Sequence, residues 1–286
     1  VTEFHQDGRA GIDADLVRRL IAQQFPQWAD LPVTPVKVDG WDNRTYRLGN
    51  DLTARLPTAA AYVPAVDKEH QWLPVLAPYL PVEIPTAIAK GAPGEGYPYP
   101  WAIRRWIAGR TPSHDSVALA HAIAEFILAL QSVDATGGPL AGEHSFYRGA
   151  PLKHYHDETV EALGVLKDRI DADLAAEVWD AALTSTWDRP PVWFHGDIAS
   201  GNLLVQDGHL SAVIDFGTSG VGDPACDLVI AYTFFSGPSR DAFGSAVAQD
   251  PGMWARARGW ALWKALITSD LPVVQTVLDD HLKQTH

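Results

Sequence analysis

Two aspartates and an asparagine in this sequence have the types and spacing to do chemistry together. The stretch FHGDIASGNLLV, residues 194–205, sets Asp197 and Asn202 five positions apart behind His195 and Gly196. A second run, LSAVIDFG, ends in Asp215, Phe216 and Gly217. Between them DGHL at 207–210 is a hairpin signal, so the second run returns antiparallel and brings Asp215 back beside Asn202. Oxygen donors such as Asn202 and Asp215 suit a magnesium ion held against phosphate oxygens, and Asp197 is then left to orient a hydroxyl nucleophile. Ser200 lies inside the loop with no Ser-His-Asp context, so direct in-line transfer is expected rather than a covalent intermediate.

Either piece alone is more often a plain turn or a buried strand ending at glycine. In combination, His195, Asp197, Asn202 and the Asp215-Phe216-Gly217 triplet match the H-x-D, Asn and D-F-G order of protein kinases. The chain resembles the aminoglycoside phosphotransferases and their relatives, small-molecule kinases of protein-kinase-like fold. HGDIASGN looks like that family's loop, with Gly196 where protein kinases usually carry Arg, and VIDFG followed by GVGDPACDL is also characteristic of it.

The resemblance implies an α+β, bilobal, protein-kinase-like fold, with an antiparallel-sheet amino-terminal lobe and a mainly helical carboxy-terminal lobe. It implies ATP or GTP as phosphoryl donor with Mg2+. Asp197 would be the catalytic base, Asn202 and Asp215 the magnesium ligands, and Asp227 a buried acid bracing the catalytic loop, or else an acid at a helix amino terminus. His195 is expected as scaffold, because Asp197 already holds the base position. The loop DGWDNRTYRL would cover the phosphates, with backbone groups of Asn43, Arg44 and Thr45 as cradle. It has only Gly40 in place of a glycine series, so a plain hairpin turn is the alternative. Arg55 stands where the family carries Lys, and Glu69 would pair with it, the alternative being a surface ion pair. An Arg fork is not interchangeable with a Lys point charge. A hinge at 102–108 would offer backbone groups near Arg104, Arg105 and Trp106 to a purine, unless those arginines are exposed charges on an edge strand.

These residues need elements to hold them. Residues 13–25 read as an amphipathic helix capped by Asp13 or Asp15. A strand meander follows through VTPVKVDG, RTYRLG and DLTARLP. A helix within 61–78 is bounded by Pro64 and Pro74. VEIPTAIA and YPWAIRRWI read as two further strands, and the Gly/Pro/Ser stretch IAGRTPS marks a boundary between a nucleotide-clamping lobe, 1–106, and a catalytic and acceptor-binding lobe, 107–286. Beyond it, Leu119, Ile123, Phe126, Ile127 and Leu130 form a core-helix stripe. More helices are expected at about 151–170, 171–187, 239–248, 252–267 and 271–283, with short strands in PVWFHG, NLLVQ and LSAVIDFG.

The acceptor is the least determined element. Net charge is −13, from 22 basic and 35 acidic residues, which disfavours nucleic acid and would attract a polycation such as an aminoglycoside. Candidate acidic contacts are Asp157, Glu158 and Glu161 on one helix, or Asp279 and Asp280 near the end; each is also readable as a solvated helix face. Trp254, Trp260 and Trp263, at helical spacing, fill the core or wall an apolar pocket, and the second case would favour a macrolide or another bulky alcohol. A peptide antibiotic, a small metabolite and a non-catalytic nucleotide-binding role are further alternatives. His154 and His156 do not share a helix face, so HYH reads as surface rather than metal site. One cysteine, Cys226, fits packing and a reducing compartment. With no signal pattern in VTEFHQDGRA and no long apolar stretch, a cytoplasmic location without membrane contact is expected.

Overall fold

The structure, a computed structural model, describes residues 11–37, 39–247 and 251–285. The chain divides into two compact units. The first holds the described residues up to Pro78 together with Glu83–Ala108 and Ala212–Gly217; the second holds Tyr79–Val82, Gly109–Ser211 and the remainder from Thr218. The fold is mixed α+β, as expected.

In the first unit helix α1, Ala14–Gln24, starts where Asp13 accepts the Leu16 amide at 2.8 Å, which settles the cap on Asp13 and leaves Asp15 in the first turn. Its buried stripe of Leu16, Val17, Leu20 and Ile21 joins a core with Tyr46, Leu48, Ala54, Leu56, Trp101 and Ile103. That core is one face of a five-stranded antiparallel sheet: β1 Val33–Pro35, β2 Asn43–Leu48, β3 Leu52–Pro57, β4 Ala87–Gly91 and β5 Trp101–Arg105, in the order β1-β2-β3-β5-β4. Val38, within the first expected strand stretch, lies outside the described residues. Strand β5 is therefore interior, which overturns the edge-strand alternative for Arg104 and Arg105. The first four residues of β5, Arg104 among them, are buried, and only Arg105 at its end is exposed. Helix α2, Val63–Leu76, carries Pro64 in its first turn, where no amide is missed, and Pro74 inside its last turn. The Ala212–Gly217 segment joins this unit through a parallel bridge of Ala212 to Glu83, with the Val213 amide on the Glu83 carbonyl at 3.1 Å.

The second unit is mainly helical. Helix α3, Val117–Ser132, is capped by Ser116 and buries the expected stripe. Helix α4, His156–Leu166, follows a tight turn at Leu152–Tyr155 and so begins later than the sequence suggests. Helix α5, Ala172–Thr184, is capped by Asp171. Strands β6 Val192–Phe194, β7 Leu203–Gln206 and β8 His209–Val213 come next, and β7 and β8 pair across Asp207 and Gly208, both at positive φ, as a two-residue Asp-Gly turn requires. Strand β9, Gly220–Gly222, pairs with β6 and was not anticipated, since its glycines carry no strand signal.

Helices α6 Ile230–Thr233, α7 Gly237–Val247, α8 Pro251–Thr268 and α9 Leu271–Thr285 complete the unit; residue 248, expected in a helix, lies outside the described residues. Within HYH, His154 is exposed, as expected, while Tyr155 and His156 are half-buried. His154 stacks on Tyr147, the Tyr155 hydroxyl donates to the Phe146 carbonyl, and His156 Nδ1 accepts the Trp179 indole N–H at 3.1 Å. No helix among the described residues is long and apolar enough to cross a membrane.

Candidate active site

The HGD loop is built within the second unit from buried backbone outward. Strand β6 delivers Phe194 and a fully buried His195, and the chain then turns at Gly196 with φ +87°. A Cβ at Gly196 would meet the Thr218 carbonyl oxygen at 2.7 Å, so the turn needs glycine on both counts. The two oxygens of buried Asp227 accept the amides of His195 at 2.8 Å and Gly196 at 2.7 Å, and the Thr218 hydroxyl donates to the His195 carbonyl at 3.0 Å. His195 Nδ1 takes the Asp197 amide at 3.2 Å, an orienting bond rather than a proton path.

The Asp197 carboxylate is gripped on both oxygens. Asn202 donates its amide nitrogen to Oδ2 and to the Asp197 carbonyl, each at 2.9 Å, and Lys264 on α8 donates to Oδ1 at 2.8 Å. Burial pushes this carboxyl upward, but the Lys264 ammonium and its hydrogen bond, with smaller help from His195 and Arg148, together hold it below the usual carboxylate range. A cavity of about 230 Å³ opens beside it, lined by Arg148, Trp260, Trp263, Lys264 and Asp270 among others. The Arg148 guanidinium lies 4.4 Å from the centre of the Trp263 ring. Trp260 and Trp263 thus belong to the core and also wall this cavity. Trp254 lines a different one, of about 750 Å³, with Tyr232 and Arg258.

In the first unit Arg55 on β3, Glu69 on α2, Arg104 on β5 and Asp215 form one charge network, in which Glu69 and Arg104 are buried and Asp215 is partly exposed. Arg55 donates to Asp215 Oδ1 at 2.6 Å and stands 3.8 Å from Glu69 Oε1, whereas Glu69 Oε2 is the close partner of Arg104. The expected Arg55–Glu69 pair is therefore the longer of the two that Glu69 makes. With side chains 15% and 5% exposed, it is no surface pair. Burial works to lower both guanidinium pKa values; Asp215 and Glu69 more than offset it for Arg55, which is raised, but Arg104 stays lowered. Asp215 sits in left-handed backbone at φ +68°. Lys68, also buried, donates to the Gly217 carbonyl at 2.8 Å, and burial pushes its amine down to about 8.

Three sequence-suggested contacts fall elsewhere. Asn43, Arg44 and Thr45 are the start of β2 rather than a loop, and Asp39 accepts both the Thr45 amide at 3.0 Å and an Arg44 guanidinium N–H at 2.9 Å. The turn proper is Asp39–Asp42, with Trp41 exposed. The Trp106 amide is used by the Asp51 carbonyl at 2.7 Å and its ring carries Arg47, so it does not offer a free donor to a purine. Of the five candidate acceptor acids none lines the cavity beside Asp197. Glu158 accepts the Trp263 indole N–H at 2.7 Å, Asp280 accepts from Tyr232 and Arg258, Asp279 from Gln275, and Asp157 and Glu161 are exposed.

Lys264 and Arg148 were missed by the sequence reading, as was Arg256, which clamps Asp223 of the GVGDPACDL run at 2.7 Å. For Lys264 and Arg256 the available signal was a set of charged residues inside the apolar text of α8, ARARGWALWKAL, where a charge is costly unless paired. Among the described residues no group of three or more His, Cys, Asp or Glu side chains is placed to hold a metal ion.

The chain belongs to the phosphotransferase enzyme family, whose model matches residues 33–261. No curated protein sequence matches it. Among solved structures it is similar to the GDP and kanamycin complex of APH(2")-IIia, with 18% identity, TM-score 0.69, and coverage of 94% of this chain and 99% of that one. It is also similar to the macrolide 2'-phosphotransferase MphH from Brachybacterium faecium, with 21% identity, TM-score 0.59, and coverage of 93% and 96%. A third is the streptomycin–ATP–APH(2")-IIa ternary complex, at 16% identity, TM-score 0.60, and coverage of 95% and 96%. The fold is that of these kinase-like enzymes, and the protein is a phosphotransferase.

Proposed function

We propose that the enzyme moves the γ-phosphoryl group of ATP or GTP, with magnesium, directly to a hydroxyl of a small molecule. The carrying observation is Asp197, kept ionised by Lys264 and fixed by Asn202 at the edge of a cavity. An ionised, immobilised carboxylate can accept a hydrogen bond from an alcohol and take its proton as the oxygen attacks phosphorus. The similar structures with GDP, and with ATP, support a nucleotide donor. The first unit, with Arg55 and its network, is the proposed nucleotide side, and the second the acceptor side.

Magnesium fits the side chains proposed for it. Asn202 commits its nitrogen, not its oxygen, to Asp197, and Asp215 is a hard carboxylate held in fixed backbone. Such an ion, when bound, would neutralise phosphate charge. Arg55 would act through Asp215, fixing the carboxylate rather than standing free as the phosphate cation. Asp227 braces the loop by its two amide bonds.

For the acceptor, complexes of similar structures with kanamycin and streptomycin support an aminoglycoside, and hence a part in antibiotic resistance. The similarity to macrolide phosphotransferases supports a less cationic alcohol, and the tryptophan-walled cavity favours this second reading. The test is an acceptor panel of aminoglycosides, macrolides, peptide antibiotics and small alcohols with magnesium and either nucleotide, read as a phosphate mass increment. Transfer to a hydroxyl is expected; nucleotide binding with no transfer across the panel would refute the reading.

A further inference from the structure

The cavity beside Asp197 does not share the charge of the chain around it. Net charge overall is −13, yet its ionisable lining is two cations, Arg148 and Lys264, and two acids, Asp197 and Asp270. One of those acids already has Lys264 on it at 2.8 Å. The other polar side chains of the lining are Arg148, stacked on Trp263, which only donates, and the hydroxyls of Ser200, Thr233 and Thr268, which donate and accept. With Lys264 and Asp197 offsetting one another, Asp270 is left against Arg148, so the lining carries no excess negative charge to draw in the several ammonium groups of a polycation. A ligand rich in oxygen acceptors would satisfy the donors that are present.

We infer that the acceptor is an uncharged or anionic alcohol, its oxygen atoms meeting Lys264 and Arg148 and its apolar ring lying on the Trp260–Trp263 wall. This rests on the phosphotransferase reading for the role of Asp197. Lys264 is half-exposed, with its side chain 39% accessible, and its ammonium has three N–H donors, so it can meet a ligand oxygen while keeping its bond to Asp197.

The test compares three probes that share a benzyl alcohol and differ in one para substituent: carboxylate, primary amide and aminomethyl. Binding to the nucleotide-free protein is read by saturation-transfer NMR. The carboxylate and amide are expected to bind, with the ammonium probe weaker by about tenfold or more, the size of one charge-assisted hydrogen bond. Lys264→Glu should abolish or reverse that order, and Lys264→Met, which keeps the aliphatic stem, should level carboxylate with amide. Equal or tighter binding of the ammonium probe to wild type, no binding of any probe, or an order unchanged in a folded Lys264→Glu protein would each overturn the inference. A separate arm measures magnesium-dependent phosphate release from ATP in wild type and Asp197→Ala. Failure there with the probe order intact breaks the phosphotransferase mechanism alone.

Discussion

Two acids that the sequence set out for one chemistry are held in opposite ways in the two units. Asp215, itself 31% exposed, is bound to an arginine whose side chain is 15% exposed and which stands in a network with the buried Glu69 and Arg104. Asp197 is bound to a lysine in a pair where both side chains are more than a third exposed. A guanidinium in a dry network is permanently charged and cannot lose a partner without leaving a charge stranded. An ammonium at a wet cleft keeps N–H donors for water or ligand beside the one it gives its partner. The first arrangement fixes geometry, and the second leaves a group that substrate can engage.

The widest separation between the two should come from removing the acids themselves. Asp197→Ala should lower kcat by about 10²–10⁴, the range of a general base, and leave nucleotide affinity close to wild type. Asp215→Ala should weaken magnesium-nucleotide binding as well as turnover. Calorimetric nucleotide titration beside steady-state kinetics reads both, and equal loss of nucleotide affinity in Asp197→Ala would erase the distinction. Next in size is stability. Glu69→Ala leaves Arg104 buried without its carboxylate and should cost about 3–5 kcal/mol, whereas Lys264→Met should cost no more than about 1 kcal/mol. Urea unfolding of both variants checks this, and similar costs would mean that the two pairs are alike after all.

What was legible in the sequence was local. The Asp13 cap, the Asp207-Gly208 turn and the α3 stripe each follow from residues within a few positions of one another. The HGD, Asn and DFG pattern also sits in one short stretch, and it carried the family. The partners that define the site did not show, because they are distant in sequence. Lys264 is 67 residues from Asp197, and Arg104 is 35 from Glu69. Strand β9 depended on pairing with β6 rather than on its own residues, and Asn43–Thr45 became strand through register with Arg55–Pro57. The five acids that net charge suggested do not line the cavity beside Asp197, because net charge averages the whole surface and a cleft is lined by a handful of side chains.

Asp227 offers the smallest and most specific check on what holds the loop under Asp197. Burial pushes its carboxyl up to about 7, against the pull of two backbone amides and with the help of Asp197 and Asp223. An unfolded aspartate releases its proton near 3.9, roughly the free-peptide value, so between about pH 4 and 7 the folded chain holds a proton that the unfolded chain has lost. Stability from this group is therefore complete below about pH 4 and declines as pH rises toward 7, by about 1.4 kcal/mol per pH unit, after which it is flat. Asp227→Asn cannot titrate and also sets an NH2 against one of the two amides, so it should be less stable throughout but lack this slope. The difference in unfolding free energy between wild type and variant, measured by urea at several pH values, should shrink from pH 4 to pH 7. A difference independent of pH would mean that the His195 and Gly196 amides keep the carboxylate ionised across the range, and that the loop is braced by a full negative charge rather than by a shared proton.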